Sequence, residues 1–237
     1  MRAEDRLLLA IDTSTEVAGL ALYDGSQISE LTWYAGRNQT GTLLIQIRHL
    51  LAINGRDLTE VGAVGVAIGP GTFNGLRVGL SVAKGLCYGL GLPVIGVETL
   101  DVVAYPHARA RSPIRAVVPA GRGRVVYAEY RYRGGRWVRL SDLRNERAER
   151  LTAELTERTV IAGEFPAELA ATLGEHPLAI VPPPALRLRR PSYLAEVAYR
   201  RWLAGETDQL ETLEPVYVHG RAPGADVAAV AEGAPGA

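Results

Sequence analysis

Residues 61–97, VGAVGVAIGPGTFNGLRVGLSVAKGLCYGLGLPVIGV, decide how this chain folds. Val61 to Ile68 is an apolar, β-branched run, the pattern of a strand covered on both faces. Gly69-Pro70-Gly71-Thr72 ends it, with Thr72 placed to cap a helix predicted from about Phe73 to Tyr88. Gly89, Gly91 and Pro93 stop that helix, and Val94 to Val97 supplies the next strand. The glycine loop therefore sits at a helix N-terminus, where free N–H groups and the helix dipole favour an anion. The helix is unusual. Gly75, Gly79, Ala83 and Cys87 recur every four residues as a ridge almost without side chains, while Leu76, Leu80, Val82, Leu86 and Leu90 fill much of the remainder. Glycine inside a helix costs about 1 kcal/mol relative to alanine, so the ridge needs a close neighbour. Packing on the chain's own sheet is one such neighbour. A helix apolar nearly all round has a second face to cover, and the bare ridge is read as a docking surface for another subunit.

Working outward, Leu7 to Asp12 is a strand ending in a carboxylate, followed by Thr13 and Ser14. Val17 to Tyr23 and Gln27 to Tyr34 are strands joined through the Asp24-Gly25 turn. A helix from about Gly41 to Ile53 puts Leu43, Leu44, Ile47, Leu50 and Leu51 on one face. Beyond the central unit, Glu98 to Arg109 reads as a helix.

From Ile114 the pattern repeats: a strand over 114–119, a polar glycine loop (Ala120 to Arg124), a strand over 125–131, the Gly134-Gly135 hairpin and a strand over 136–140. A helix over 147–155, a strand over 158–162, a helix over 166–173 and a strand over 177–181 follow. The expectation is an α/β protein of two β-β-β-α-β-α halves, 1–108 and 109–221, with a ligand cleft between them. Pro182-Pro183-Pro184 is a rigid connector. An amphipathic helix over 191–204 is expected to pack back on the first half, and the small, low-complexity residues 222–237 are expected to be disordered.

Composition narrows the function. Lys+Arg and Asp+Glu balance at 26 each, which argues against nucleic-acid binding through a global positive field. The charge is uneven: residues 109–158 hold 13 basic and 6 acidic groups, between two acidic flanks. Arg131, Arg133, Arg136 and Arg139 alternate with Tyr130, Tyr132 and Trp137, a pattern that suits RNA or a charge-protected edge strand. A lone cysteine excludes a disulfide framework. No apolar run reaches the roughly 18 residues of a membrane span, and the start lacks a signal-peptide core. A cytoplasmic protein is expected.

Asp12, Thr13 and Ser14 together with Gly69, Gly71 and Thr72 are the candidate phosphate or nucleotide site, a carboxylate with hydroxyl and N–H donors around it. The second-half counterpart of Asp12 falls near Ala120, which offers neither carboxylate nor hydroxyl. Catalysis by the chain alone is therefore not expected, and no residues are assigned to it. The 4 histidines form no His-x-x-x-His pair, so no metal site is expected. Neither a Walker loop nor a serine elbow is present, which leaves a peptidase without support. The rival reading is a self-sufficient nucleotide-dependent small-molecule kinase or carbamoyl transferase using Asp12 and the 69–72 loop.

The stretches LLLAIDTSTEVAGLAL (7–22) and GVAIGPGTFNGLRVGLSVAKGLCYGLGLPVIGVETL (65–100), and more loosely VVYAEY (125–130) and EPVYV (214–218), resemble the bacterial TsaB (YeaZ) family of tRNA threonylcarbamoyladenosine biosynthesis proteins. The resemblance implies a duplicated actin/Hsp70/sugar-kinase-like (ASKHA) fold. It also implies a non-catalytic scaffold for a TsaD-like catalytic paralogue, working with a TsaE-like ATPase on tRNA. ATP would belong to the complex, with no cofactor of the chain's own. Pairing with that paralogue, or with a second copy as a homodimer, would use the helices at about 41–53 and 73–88. Gln39, Asn74 and the stretch AGRGRVVY (120–127) depart from the family pattern.

Overall fold

The computed structural model describes residues 6–36, 38–107, 111–133 and 136–218. Strands β1 (Leu7–Asp12), β2 (Val17–Tyr23), β3 (Ile28–Tyr34), β4 (Val61–Gly69) and β5 (Val94–Glu98) form one sheet in the order β3-β2-β1-β4-β5. β1 pairs antiparallel with β2 and parallel with β4. The second sheet holds β6 (Ile114–Gly121), β7 (Arg124–Arg133), β8 (Arg136–Arg139), β10 (Thr159–Gly163) and β11 (Ala179–Ile180), ordered β11-β10-β6-β7-β8, with β9 (Arg144–Arg147) added beside β7. Read from its other edge, that order is the first sheet's order, with β6 and β10 in the places of β1 and β4. The duplicated α/β architecture is thus present in the strand order itself.

Each sheet is covered as its alternation dictates. Leu9, Ile11, Leu20, Val64 and Val66 face α1 (Gln39–Ile53) and α2 (Phe73–Leu90). Leu8, Ala10, Ala21, Ala63 and Ile95, on the opposite face, meet Leu194, Ala195, Ala198 and Tyr199 of α6 (Pro191–Leu203). In the second sheet Ala116, Val118, Val126 and Ala128 pack against α3 (Thr99–Ala104), while Val117, Tyr127 and Ile161 pack against Leu173 of α4 (Ala167–Gly174). Between α4 and α6 in the chain, α5 (Pro184–Arg187) is one turn at the end of the proline run.

Several expectations shift. The helix predicted over 147–155 does not form: Arg147 ends β9, a single 3-10 turn covers Ala148–Arg150 and turns follow over 151–154. β9 finds open backbone groups on β7, and that pairing overrides the local helical preference. The helix expected over 98–109 ends as α3 at Ala104 with a 3-10 turn over Tyr105–His107, because Pro106 lacks the N–H needed to continue. Pro184 begins a helix rather than ending an extended connector. The Gly134-Gly135 hairpin and the expected disordered tail lie outside the described residues.

Candidate functional site

Asp12 closes β1 in the centre of its sheet, and the chain turns at once into Thr13-Ser14-Thr15. This turn rests on the glycine loop: Ser14 O accepts from Thr72 N at 2.7 Å, and Thr13 Oγ1 donates to Gly75 O at 2.7 Å. Gln39, at the start of α1, donates to Thr15 O at 2.7 Å. A Cβ on Gly71 would lie 2.3 Å from Ser14 O, one on Gly75 2.1 Å from Thr13 O and one on Gly79 2.3 Å from Thr13 Oγ1. The structure therefore brings Asp12, Thr13, Ser14, Gly69, Gly71 and Thr72 together. Thr72 holds the N-cap position of α2, but its hydroxyl makes no cap bond.

Asp12 is buried, and its oxygens are taken by the chain itself. Oδ1 accepts from Ser14 N at 2.9 Å and from Ser14 Oγ at 2.6 Å, while Oδ2 accepts from Arg189 Nε at 2.5 Å. Arg189, from the segment between α5 and α6, also donates to Glu164 Oε1 at 3.0 Å, Thr15 Oγ1 at 3.1 Å and Val17 O at 2.9 Å. Thr15 Oγ1 in turn donates to Glu164 Oε2 at 2.8 Å. Burial by itself pulls the guanidinium down, but Asp12 and Glu164 more than reverse this and hold it above the ordinary arginine value. One buried cation thus clasps a first-half carboxylate to a second-half carboxylate.

Glu164 and Arg189 were not among the residues picked out from the sequence. Glu164 follows β10, the counterpart of β4, so Gly163-Glu164-Phe165-Pro166 occupies the place of Gly69-Pro70-Gly71-Thr72. The second half does bring a carboxylate to the centre, after its fourth core strand rather than its first. The signal was the repeat of strand, glycine, loop and helix in VIAGEFPAELAATLG. Arg189 had no local signal, since 177 residues separate it from Asp12.

Beside the clasp a cavity of about 830 Å³ opens between the halves, walled by Tyr34, Thr72, Phe73, Phe165, Arg187 and Leu188. Its walls are mostly aromatic and aliphatic. A nucleotide held through a divalent cation needs a carboxylate free to bind the metal. Asp12 and Glu164 are both committed to Arg189, so this centre does not fit that chemistry.

The expected docking residues are corrected by their burial. Leu43, Ile47, Leu50 and Leu51 of α1, and Gly75, Leu76, Gly79, Leu80, Ala83 and Cys87 of α2, are all buried within this chain. Only Leu44, 56% exposed, lies on the surface. The most apolar stripe of a helix is the one its own sheet claims, and the bare ridge exists so that α2 can lie against Thr13. Burial pushes the Cys87 thiol up to about 11, so it is packing and no nucleophile. What the helices leave outward is a different stripe. Ser81, Gly85, Tyr88 and Gly89 are exposed on α2, and Leu44 and Ile45 on α1. Nothing lies within 4 Å of a Cβ built on Gly85 or Gly89.

This contrast has a measurable sign. Gly75→Ala is expected to lose about 1–3 kcal/mol through overpacking against a backbone carbonyl. Gly85→Ala should gain up to about 1 kcal/mol, because only helix propensity changes there. Urea unfolding of the two variants checks both, and equal shifts would refute the assignment of inward and outward faces.

Two halves with the same strand order, set around a central cleft, define a protein of the actin/Hsp70/sugar-kinase class. Comparison with known proteins narrows this. The family model described as TsaD, tRNA N6-adenosine threonylcarbamoyltransferase, matches residues 33–197. The tRNA threonylcarbamoyladenosine biosynthesis protein TsaB of Escherichia coli is 30% identical over 221 residues, covering 89% of this chain and 94% of that protein. A solved structure of YeaZ from Pseudomonas aeruginosa superposes with a TM-score of 0.76 at 26% identity, over 90% of this chain and all of the other. The tRNA N6-adenosine threonylcarbamoyltransferase of Geotalea uraniireducens is 36% identical over 112 residues, 40% of this chain and 33% of that enzyme. The chain belongs to the TsaB (YeaZ) family of tRNA threonylcarbamoyladenosine biosynthesis proteins.

Proposed function

We propose that this chain is a scaffold subunit of the machinery that forms N6-threonylcarbamoyladenosine in tRNA, without an active site of its own. It binds a TsaD-like catalytic paralogue through the outward faces of α1 and α2, and alone it pairs with a second copy through the same faces. The observation that carries this reading is the placement of Gly85 and Gly89. A glycine inside an exposed helix costs about 1 kcal/mol, as Gly85 does, and nothing lies within 4 Å of a Cβ built on Gly85 or, in the last turn, on Gly89. They leave bare helix surface around the exposed Tyr88, and α1 adds the exposed Leu44 and Ile45, apolar surface suited to a partner helix at close range. The sequence relation to a threonylcarbamoyltransferase supports a paralogue as that partner.

The rival, a self-sufficient kinase or carbamoyl transferase, requires Asp12 to hold a metal-bound phosphate. The Arg189 clasp argues against it. ATP belongs to the catalytic partner and its ATPase, and the complex works in the cytoplasm; among the described residues no helix is long and apolar enough to cross a membrane. The test incubates the purified chain with ATP and candidate acceptors. No turnover above background is expected, and turnover abolished in an Asp12→Ala chain that still folds would establish the rival instead.

A further inference from the structure

The arginine-rich middle of the chain is not uniformly available. Arg131 pairs with Glu157, Arg139 with Glu98 and Arg144 with Glu154, so several of its arginines are already answered. At the end of the second sheet nearest the cleft the situation differs. Arg124 and Arg147 sit directly opposite each other across β7 and β9, and so share one face of the sheet. Arg122 stands at the β6–β7 turn, and Arg150 follows in the 3-10 turn that Ala148 N ties to Gly123 O. Arg122, Arg147 and Arg150 are exposed and make no ion pair among the described residues, while Arg124 is braced by Asn145 at 2.6 and 2.7 Å. Arg122 also holds a φ of 53°, a left-handed conformation that residues with a side chain seldom adopt. Its neighbours Gly121 and Gly123 take it freely, so the arginine is there for its side chain.

Asn145 lies at the edge of a groove of about 280 Å³ that also touches Pro70, Phe73, Ala120 and Tyr217. Phe73 is 52% exposed and stacks on Tyr217 at 5.4 Å, and the Arg77 guanidinium lies over its ring at 3.9 Å. Four clustered arginines on one bank, with an exposed aromatic and a fifth arginine on the other, match the needs of an RNA strand. Guanidinium groups take phosphates, and an aromatic face takes a base. The geometry points to this groove as an RNA contact, with Arg122, Arg124, Arg147 and Arg150 on the backbone and Phe73 stacking against a base. RNA is chosen on the strength of the tRNA-modification reading; the patch itself does not depend on it.

The test is fluorescence anisotropy of a labelled, unmodified tRNA transcript titrated with the chain between about 50 and 200 mM salt. Each phosphate contact contributes about 0.7–0.9 to the slope of log affinity against log salt. Arg122→Glu/Arg147→Glu is therefore expected to bind about tenfold more weakly or worse at the low-salt end and to lose about 1.5 from that slope. Phe73→Ala should weaken binding severalfold with the slope unchanged. The control, Arg133→Glu/Arg158→Glu, carries the same change of net charge about 30 Å away along the strands, nine residues at about 3.4 Å each, and should bind as the unaltered chain does. Equal losses in both double variants, or no binding at the low-salt end by the unaltered chain, would overturn the proposal. Pairing with the paralogue is assigned to Gly85, Tyr88 and Gly89, 12 or more residues and so about 18 Å or more along α2 from Phe73, and is scored separately by titration with the paralogue, so failure here leaves the scaffold reading standing.

Discussion

An Arg189→Met chain is expected to lose about 3–5 kcal/mol of folding stability, the usual result of removing one partner from a buried ion pair. The guanidinium is buried and donates to Asp12, Thr15, Val17 and Glu164 at once. Its loss strands two carboxylates where water cannot reach Asp12. For a chain of this length the melting midpoint should fall on the order of 10 °C. Removing all the charges together is a different experiment. Asp12→Asn/Glu164→Gln/Arg189→Met should recover most of the loss, because the penalty lies in uncompensated charge and not in the absence of the pair. The pH dependence follows from the direction of the shift. A guanidinium held above its ordinary value contributes fully below that value and fades only at higher pH. The single variant's deficit should therefore be the same at pH 7 and pH 9. Calorimetry of the single and triple variants at the two pH values checks the set, and a single variant as stable as the unaltered chain would remove the clasp from the account.

Gly85→Leu should have the opposite profile. With nothing within 4 Å of the added Cβ, leucine replaces glycine on an open helix surface, and the chain should melt at or slightly above the unaltered temperature. The partner loses its close approach. A leucine driven into a well-packed interface centre is expected to weaken binding to a TsaD-like paralogue by about 100-fold or more, about 3 kcal/mol. Isothermal titration separates this from a folding defect. Unchanged affinity in the stable variant would move the interface away from the exposed side of α2.

Much of the fold could be read from residues alone. The run 61–97 encodes its βαβ unit through alternating burial, a glycine loop and a glycine stop, and Gly91 does end α2 in the left-handed conformation. The second half was legible as a repeat because hairpin turns and glycine loops recur at similar spacing. β9 was not, since its strand character comes from pairing with β7 rather than from its own residues. The site divided along the same line. Asp12, Ser14 and the glycine loop are local chemistry and were found. The clasp joins three distant segments, and no short-range pattern announces Arg189. The docking ridge was misplaced for a related reason. Small residues every four positions say that something comes close, but not whether it is the chain's own Thr13 or another molecule. Only the fold separates Gly75 and Gly79, which face inward, from Gly85 and Gly89, which do not.

The central claim is that a chain with no free catalytic carboxylate at its centre still governs a reaction carried out by its paralogue. The direct measurement is threonylcarbamoyl transfer to unmodified tRNA by a TsaD-like enzyme with its ATPase, run without this chain, with it, and with the Gly85→Leu variant. The account predicts little modification without the chain, full modification with it and little with the variant. Full-rate modification in its absence would contradict the scaffold role.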